Sequence, residues 1–146
     1  MNTLIPESRI VVQVAPAPWG DLMEQSAALL ERDGVTSPDY LPAILASIER
    51  NGSYMLVAPH VLLAHARPEQ GAIATGMSLL TTTEDVPFVG DSGKTIRLFF
   101  TLAAADADSH LELISHLAEV LVDSEAMAEL LSSQDPARVR ELLTPA

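Results

Sequence analysis

Histidine is the residue type in this sequence best suited to chemistry near neutral pH, and it is present as His60, His65, His110 and His116. Neutral imidazole can act as a nucleophile, a proton acceptor or a metal ligand. Cysteine is absent, which excludes thiolate nucleophiles, thiolate metal sites and disulfides. The sequence also lacks a phosphate-binding loop, a dinucleotide-binding motif and a nucleophile elbow. The candidate chemistry is therefore that of the histidines.

Two of these histidines occupy positions that suit a reactive group. His65 follows the apolar run 61–64 and precedes a polar turn, so we expect it at the surface where a strand ends. A strand-end histidine that bonds to a neighbour is the alternative. Ser109 and Glu112 form a Ser-x-x-Glu capping box, which puts His110 at the first helical position. Helix starts bind anions such as phosphate, while a packing role beneath the helix is equally open for His110.

The other two histidines have plainer interpretations. His116 lies among glutamates on the outward face of a predicted helix, and we expect a solvated surface residue there. His60 follows a proline and is expected in a turn. A zinc site formed by His60, His65 and His110 is a further hypothesis, because three imidazoles can bind zinc with an open position. No HExxH motif supports it.

Apolar periodicity predicts the elements that must position these side chains. Strands are expected at 9–14, 54–58, 61–64, 73–81 and 95–104, and helices at 19–32, from the cap Asp39 to Asn51, at 109–122, and in two short pieces from 124 and 135. The run 95–104 is apolar at nearly every position, as in a central strand covered on both faces. We therefore predict one α/β domain over residues 1–146, a layered sandwich with a central mixed sheet of about five strands and helices on both faces.

Composition narrows the classes of function. Of the 146 residues, 48% are hydrophobic and 19% charged, which is typical of a globular protein. The 20 acidic residues against 8 basic ones give a formal charge of −12, so neither nucleic-acid binding nor a membrane-surface helix is expected. The sequence shows no signal peptide and no apolar stretch of membrane-spanning length. We expect a cytoplasmic protein that does not insert into membranes.

Two segments, in order and at a suitable separation, carry a family resemblance. The first reads Gly52-Ser53-Tyr54-Met55-Leu56-Val57-Ala58-Pro59 and continues at Ala64-His65-Ala66-Arg67-Pro68-Glu69-Gln70-Gly71. The second reads Ala103-Ala104-Ala105-Asp106 and then Ser109-His110-Leu111-Glu112. They resemble a phosphotransferase-system (PTS) enzyme IIA domain (EIIA) of the mannitol/fructose type, and within it most closely the ascorbate-type branch. That branch carries its phosphorylated histidine in a His-Gly-Arg-Pro-Glu segment, where His65 stands here.

The resemblance implies a phosphoryl carrier that accepts a phosphoryl group from phospho-HPr on His65 and passes it to an enzyme IIB (EIIB) for carbohydrate uptake. It implies that His110 stabilises the phosphoryl group, with Arg67 and Ser109 as candidate phosphate-binding residues. No metal or organic cofactor is implied. A regulatory EIIA-like module, which senses phosphorylation state without sugar flux, is the alternative. The sequence leaves the carbohydrate and the oligomeric state open, with a homodimer among the alternatives.

The chain departs from the family pattern in two places. Ala64 and Ala66 flank His65, where the family usually reads Pro-His-Gly, and glycine lets a backbone approach phosphate closely. Mannitol-type members also have an arginine near the site. Arg50 is out of register for that role, and Arg67 is a candidate substitute, with a solvated surface arginine as the alternative.

Overall fold

The computed structural model describes residues 5–88 and 93–143, apart from the side-chain environments of Gly52, Ser53, Ala107, Ser109, His110 and Leu113. The strands are β1 Ile10–Val14, β2 Leu56–Ala58, β3 His60–Ala64, β4 Gly76–Pro87 and β5 Thr95–Ala103. The helices are α1 Trp19–Arg32, α2 Tyr40–Asn51, α3 Ala107–Leu121, α4 Ser124–Ser132 and α5 Pro136–Leu143, with 3-10 turns at Glu7–Arg9, Gly52–Met55 and Pro68–Gln70. Across this described part of the chain, no helix combines the length and apolarity needed to cross a bilayer.

The strands form one mixed sheet in the order β1-β4-β5-β3-β2. β5 runs parallel to β3 and antiparallel to β4, and it lies in the middle, which confirms the prediction from its continuous apolar run. Ala64, the last residue of β3, pairs with Thr101 of β5. Because parallel strands end at the same edge of a sheet, the loops that follow β3 and β5 emerge side by side. This edge positions the candidate site.

Two apolar clusters, one on each face of the sheet, confirm the predicted layers. Adjacent residues of β5 alternate between them: Phe99 packs in the cluster that includes residues of α1 and α2, and Phe100 in the cluster that includes residues of α3, α4 and α5. Both phenylalanines are fully buried. A strand covered on both faces needs apolar residues at successive positions, which explains the unbroken run.

The first helix has the bounds predicted from its periodicity. Gly34, with φ of 75°, ends it, and the Val35 amide donates to the Leu30 carbonyl at 2.9 Å while the Gly34 amide donates to Glu31 at 3.1 Å. This pair of hydrogen bonds is a Schellman motif, in which glycine takes the left-handed position without steric cost. The Asp33-Gly34 stop signal in the sequence therefore has this physical basis.

The start of α3 differs from the prediction. The helix begins at Ala107, so Ser109 is its third residue rather than its cap, and His110 is its fourth rather than its first. Asp106 takes the position before the helix, where aspartate is as favourable as serine. The sequence thus contains two suitable caps, and the helix begins directly after the earlier one. The predicted strand at 54–58 is likewise shortened to Leu56–Ala58 by the 3-10 turn Gly52–Met55.

Candidate functional site

His65 lies immediately after the carboxyl end of β3 and is half-buried. Its Nδ1 atom lies 2.8 Å from the carbonyl oxygen of Leu63. Since a carbonyl oxygen only accepts hydrogen bonds, Nδ1 carries the proton in the neutral ring and the lone pair is on Nε2. The backbone therefore selects the tautomer in which Nε2 is the nucleophilic atom. His65 thus bonds to a neighbour through Nδ1 and still presents a reactive Nε2. A bonded strand-end histidine and a reactive histidine are therefore compatible at this position.

The loop after His65 is held in shape by its own polar groups. The Arg67 amide donates to Oε1 of Gln70 at 2.9 Å, and the Gln70 amide donates to the Arg67 carbonyl at 2.9 Å. Gly71 closes the loop with φ of 138°. A Cβ atom at Gly71 would lie 2.8 Å from Ser37 Oγ and 3.0 Å from the Tyr40 nitrogen, so only glycine fits this approach. The loop is therefore fixed against the start of α2.

An open pocket of about 720 Å³ surrounds His65. It is lined by the last turn of α2, the 3-10 turn before β2, the loop after β3 and one residue of α3: Ser47, Arg50, Asn51, Tyr54, Met55, His65, Ala66, Arg67, Pro68, Gln70 and Leu111. The Tyr54 ring lies 6.0 Å from the His65 ring, centroid to centroid, at an interplanar angle of 44°. Tyr54 and Leu111 are 65% and 62% exposed, which gives the pocket an apolar rim.

Two arginines belong to the described lining of the pocket. The guanidinium groups of Arg50 and Arg67 form no hydrogen bond or ion pair with the residues that the structure describes. Elsewhere, Arg9 binds Asp33 at 2.9 Å and Arg138 binds Glu129 at 2.7 Å. In a chain with a formal charge of −12, an arginine without an internal carboxylate partner is available for an external anion.

The sequence predicts Arg67 as a candidate phosphate-binding residue, and the structure places both Arg67 and Arg50 in the lining of the same pocket. In the sequence Arg50 is out of register with the family arginine, yet the structure brings it to the same pocket as His65. It lies in the last turn of α2, and the β2–β3 hairpin then returns the chain to this edge. The sequence does carry a pattern that points to Arg50. It is an arginine at the end of a helix, and the hairpin that follows this helix leads to His65.

The side chains of Ser109 and His110 lie outside the described part of the structure, so their predicted roles stay predictions. The backbone of α3 runs from Ala107, and Leu111 lines the pocket. The first turns of this helix therefore border the site.

Comparison with known proteins assigns this arrangement to a family. The family model described as "Phosphoenolpyruvate-dependent sugar phosphotransferase system, EIIA 2" matches residues 3–145. The chain belongs to this EIIA family. The resemblance to EIIA read from the two sequence segments is thereby confirmed, and the chain is a component of a phosphotransferase system.

Individual relatives agree with this EIIA assignment. The mannitol-specific cryptic phosphotransferase enzyme IIA component of Escherichia coli (strain K12) is 35% identical over 144 residues, covering 99% of this chain and 97% of that protein. The ascorbate-specific PTS system EIIA component of Shigella dysenteriae serotype 1 is 30% identical over 143 residues, covering 97% and 93%. The solution structure of the mannitol-specific cryptic enzyme IIA from Escherichia coli has a TM-score of 0.86 at 36% identity, covering 97% of this chain and 95% of that one.

The hypothesis of a zinc site shared by His60, His65 and His110 is wrong for this EIIA. His60 begins β3 and His65 follows its end, so the two are separated by about 16 Å of extended chain. His60 instead bonds through Nδ1 to Thr95 Oγ1 at 3.1 Å, with Asp85 Oδ1 at 3.5 Å. Among the side chains that the structure describes, no group of three or more potential ligands could hold a metal ion.

His116 is also placed differently from the prediction. It is half-buried rather than solvated, and its Nε2 lies 2.8 Å from the Leu143 carbonyl oxygen. The reason is that α5 packs beside α3 and brings its last turn against this face. His116 therefore links two helices and has no part in the pocket.

Ala66 fits its position in this EIIA without backbone strain. The non-glycine residues with positive φ in the described chain are Gln13 and His60, so Ala66 needs none of glycine's conformational freedom. Its amide donates to the Tyr40 hydroxyl at 3.0 Å. The amide after His65 is thus committed to a hydrogen bond with a buried side chain.

Proposed function

We propose that this EIIA carries a phosphoryl group on Nε2 of His65, accepting it from phospho-HPr and passing it to an EIIB partner for carbohydrate uptake. The observation that carries the proposal is the hydrogen bond from Nδ1 of His65 to the Leu63 carbonyl, made beside a pocket lined by two arginines that have no partner among the described residues. In the first step the Nε2 lone pair attacks phosphorus. The donor's N–P bond breaks, its electron pair returns to the donor ring, and a new N–P bond forms on His65.

The proton on Nδ1 remains with His65 through this step. The phosphorylated ring then carries phosphorus on Nε2 and hydrogen on Nδ1, and the Leu63 carbonyl stabilises the resulting partial positive charge. A protonated ring is a good leaving group, which prepares the second transfer. In that step a nucleophile of EIIB attacks phosphorus and the electron pair returns to Nε2.

Arg50 and Arg67 supply the electrostatic part of the mechanism. Phosphoryl transfer depends mainly on in-line positioning and on stabilising the equatorial oxygens. Guanidinium groups bind these oxygens through paired N–H donors. By resemblance to the family, His110 and Ser109 contribute from the start of α3. The proposed chemistry requires no metal or organic cofactor.

Partner docking follows from the surface around the pocket. The exposed rings and side chains of Tyr54 and Leu111 offer apolar contact on the rim. The charge of −12 favours carriers with a basic docking face and speeds their encounter at low salt. Such a carrier works in the cytoplasm, where phospho-HPr is formed.

A reconstituted transfer assay tests the proposal. Labelled phosphoenolpyruvate, enzyme I and HPr are mixed with the wild-type chain, with His65→Ala, or with the matched control His60→Gln, which removes a histidine outside the pocket. We expect an acid-labile, base-stable adduct on wild type and His60→Gln and none on His65→Ala. An adduct on His65→Ala would assign the chemistry to another residue. No adduct on wild type would contradict carrier activity and favour the regulatory module.

A further inference from the structure

One buried hydroxyl meets three backbone groups at the edge of the sheet beside His65. Tyr40, the first residue of α2, is 2% exposed. Its Oη atom donates to the Leu102 carbonyl at 2.6 Å and accepts from the Ala66 amide at 3.0 Å, with the Ala66 carbonyl at 3.2 Å. A hydroxyl has one proton, and the shorter contact to Leu102 receives it. The result is a chain of hydrogen bonds from Ala66 through Tyr40 to Leu102.

This hydroxyl lies where the hydrogen-bond ladder between β3 and β5 stops. The last paired residues are Ala64 and Thr101. Continued in the same register, Ala66 would lie opposite Ala103 and its amide would face the Leu102 carbonyl. The Tyr40 oxygen is inserted between that donor and that acceptor. It therefore holds the two strand ends apart at a fixed separation, and His65 lies on the segment that is moved away from β5.

Both ends of the loop that follows His65 rest on the same tyrosine. Ala66 bonds to the hydroxyl at one end of Tyr40, and Gly71 packs against its backbone nitrogen at the other. Between these anchors lie Arg67 and Gln70, which line the pocket. On the other side, Leu102 is followed within a few residues by Ala107, where α3 begins. Tyr40 thus connects the His65 loop with the strand that leads to α3.

We propose that Tyr40 is a positioning residue for phosphoryl transfer, whose hydroxyl sets the place of His65 and its loop relative to the α3 side of the pocket. This inference rests on the proposed function of His65. Tyr40 touches no reacting atom in it. Burial raises the pKa of the Tyr40 hydroxyl, outweighing the opposing effect of its bond with Ala66. The hydroxyl therefore stays protonated and remains a donor to Leu102 at neutral pH.

The variant Tyr40→Phe removes the hydroxyl and keeps the ring. Phosphorylation is followed with phospho-HPr, and separately with phosphoramidate, a small donor that needs no protein docking. We expect the maximal rate to fall about tenfold with both donors. This is a smaller loss than the roughly 100-fold that a displacement of the reacting group by about 1 Å can cause. The KM for phospho-HPr should stay within about twofold, because the rim formed by Tyr54 and Leu111 is unchanged.

The matched control is Thr82→Val. Thr82 is also fully buried, and its hydroxyl donates to the Glu84 carbonyl at 2.7 Å. It lies about 20 Å along β4 from Gly76, which borders the site edge. This control loses a buried hydroxyl and stability without touching the His65 loop, so its phosphorylation rate should equal that of wild type. Thermal unfolding of both variants measures the stability loss directly.

The outcomes separate this inference from the proposed function. A wild-type rate in Tyr40→Phe, or an equal slowing in Thr82→Val, would overturn the positioning role while His65 chemistry stands. No adduct on wild type would instead overturn the function itself. If Tyr40→Phe does not fold, Gly71→Ala decides, because its methyl group displaces the loop from the other anchor. About tenfold slowing there supports the inference, and a wild-type rate overturns it.

Discussion

Neutralising Arg50 or Arg67 should impair phosphoryl transfer while leaving the fold as stable as before. An arginine paired with a carboxylate can contribute to stability, and replacing it removes that contribution. These two guanidinium groups have no partner within the described residues, and both side chains are exposed. The variants Arg50→Gln and Arg67→Gln therefore remove a charge that, in our proposal, acts only on the phosphoryl group. Stability should change by no more than about 0.5 kcal/mol.

The size of the functional loss follows from the hydrogen bonds involved. A hydrogen bond to a charged group contributes about 1.5–3 kcal/mol. At about 1.4 kcal/mol for each factor of ten, losing one such bond in the transition state slows transfer by about 10-fold to 150-fold. The pocket is open and both arginines are exposed, so water screens the interaction and we expect the lower end, about tenfold for each variant. The double variant should lose about 100-fold if the two act independently.

Rapid-quench measurement of His65 phosphorylation by phospho-HPr, combined with urea unfolding, checks both halves of this expectation. The matched control is Arg138→Gln, which removes a charge that is paired with Glu129 at 2.7 Å and Glu141 at 3.1 Å, and none of these three residues lines the pocket. The control should lower the unfolding midpoint and leave the transfer rate unchanged. Rates within twofold of wild type in both single variants and in the double variant would refute an anion-binding role for the two arginines.

Two further predictions concern the scaffold. The pKa of Asp33 is lowered below its ordinary value of 3.8, first by its hydrogen bond with Arg32 and also by Arg9. A lowered folded-state pKa gives stability that is present above the ordinary pKa and is lost as pH falls through the folded value. Asp33→Asn should therefore reduce the free energy of unfolding at pH 7, and this free energy should fall less steeply than in wild type as the pH is lowered. Urea unfolding at a series of pH values measures both effects, and an unchanged fall at acid pH would contradict the prediction. Ser26 is fully buried and donates to the Phe99 carbonyl at 2.8 Å while accepting from Thr101 at 3.1 Å. Ser26→Ala should cost about 1–3 kcal/mol of unfolding free energy with phosphorylation unchanged, and a neutral urea midpoint would argue against the network.

Elements with one consistent local signal could be predicted from the sequence. Helix α1 has an apolar face at helical spacing and a glycine stop, and its bounds match the prediction. Strand β5 is apolar on both faces, and it lies at the centre of the sheet. The position of His65 at a strand end follows from the same pattern. In each case the local pattern and the tertiary environment favour the same structure.

The sequence-based predictions failed where the local sequence pattern was ambiguous or where tertiary packing determined the structure. Asp106 and Ser109 are both suitable caps for α3, and local chemistry does not choose between them. Met55 has the apolar character of a strand residue, yet it is buried within a 3-10 turn, where its side chain joins the core. Arg50 lines the pocket because the β2–β3 hairpin returns the chain, with His65, to the end of α2. The alignment register of a short sequence motif contains no information about this long-range return of the chain.

The charge of this EIIA acts differently at two length scales. Over the whole surface, a charge of −12 repels small anions, so free phosphate gains little from approaching the protein. Among the described residues that line the pocket, Arg50 and Arg67 carry the formal charges, and Coulomb attraction at contact distance exceeds the repulsion from exposed carboxylates outside the pocket, which salt screens over a Debye length of about 8–10 Å. A phosphoryl group held on a carrier protein with a basic face is favoured by both effects. The acidic surface attracts the basic face of the carrier, and the pocket arginines bind the phosphoryl group. The charge distribution therefore favours transfer between proteins over capture of free phosphate.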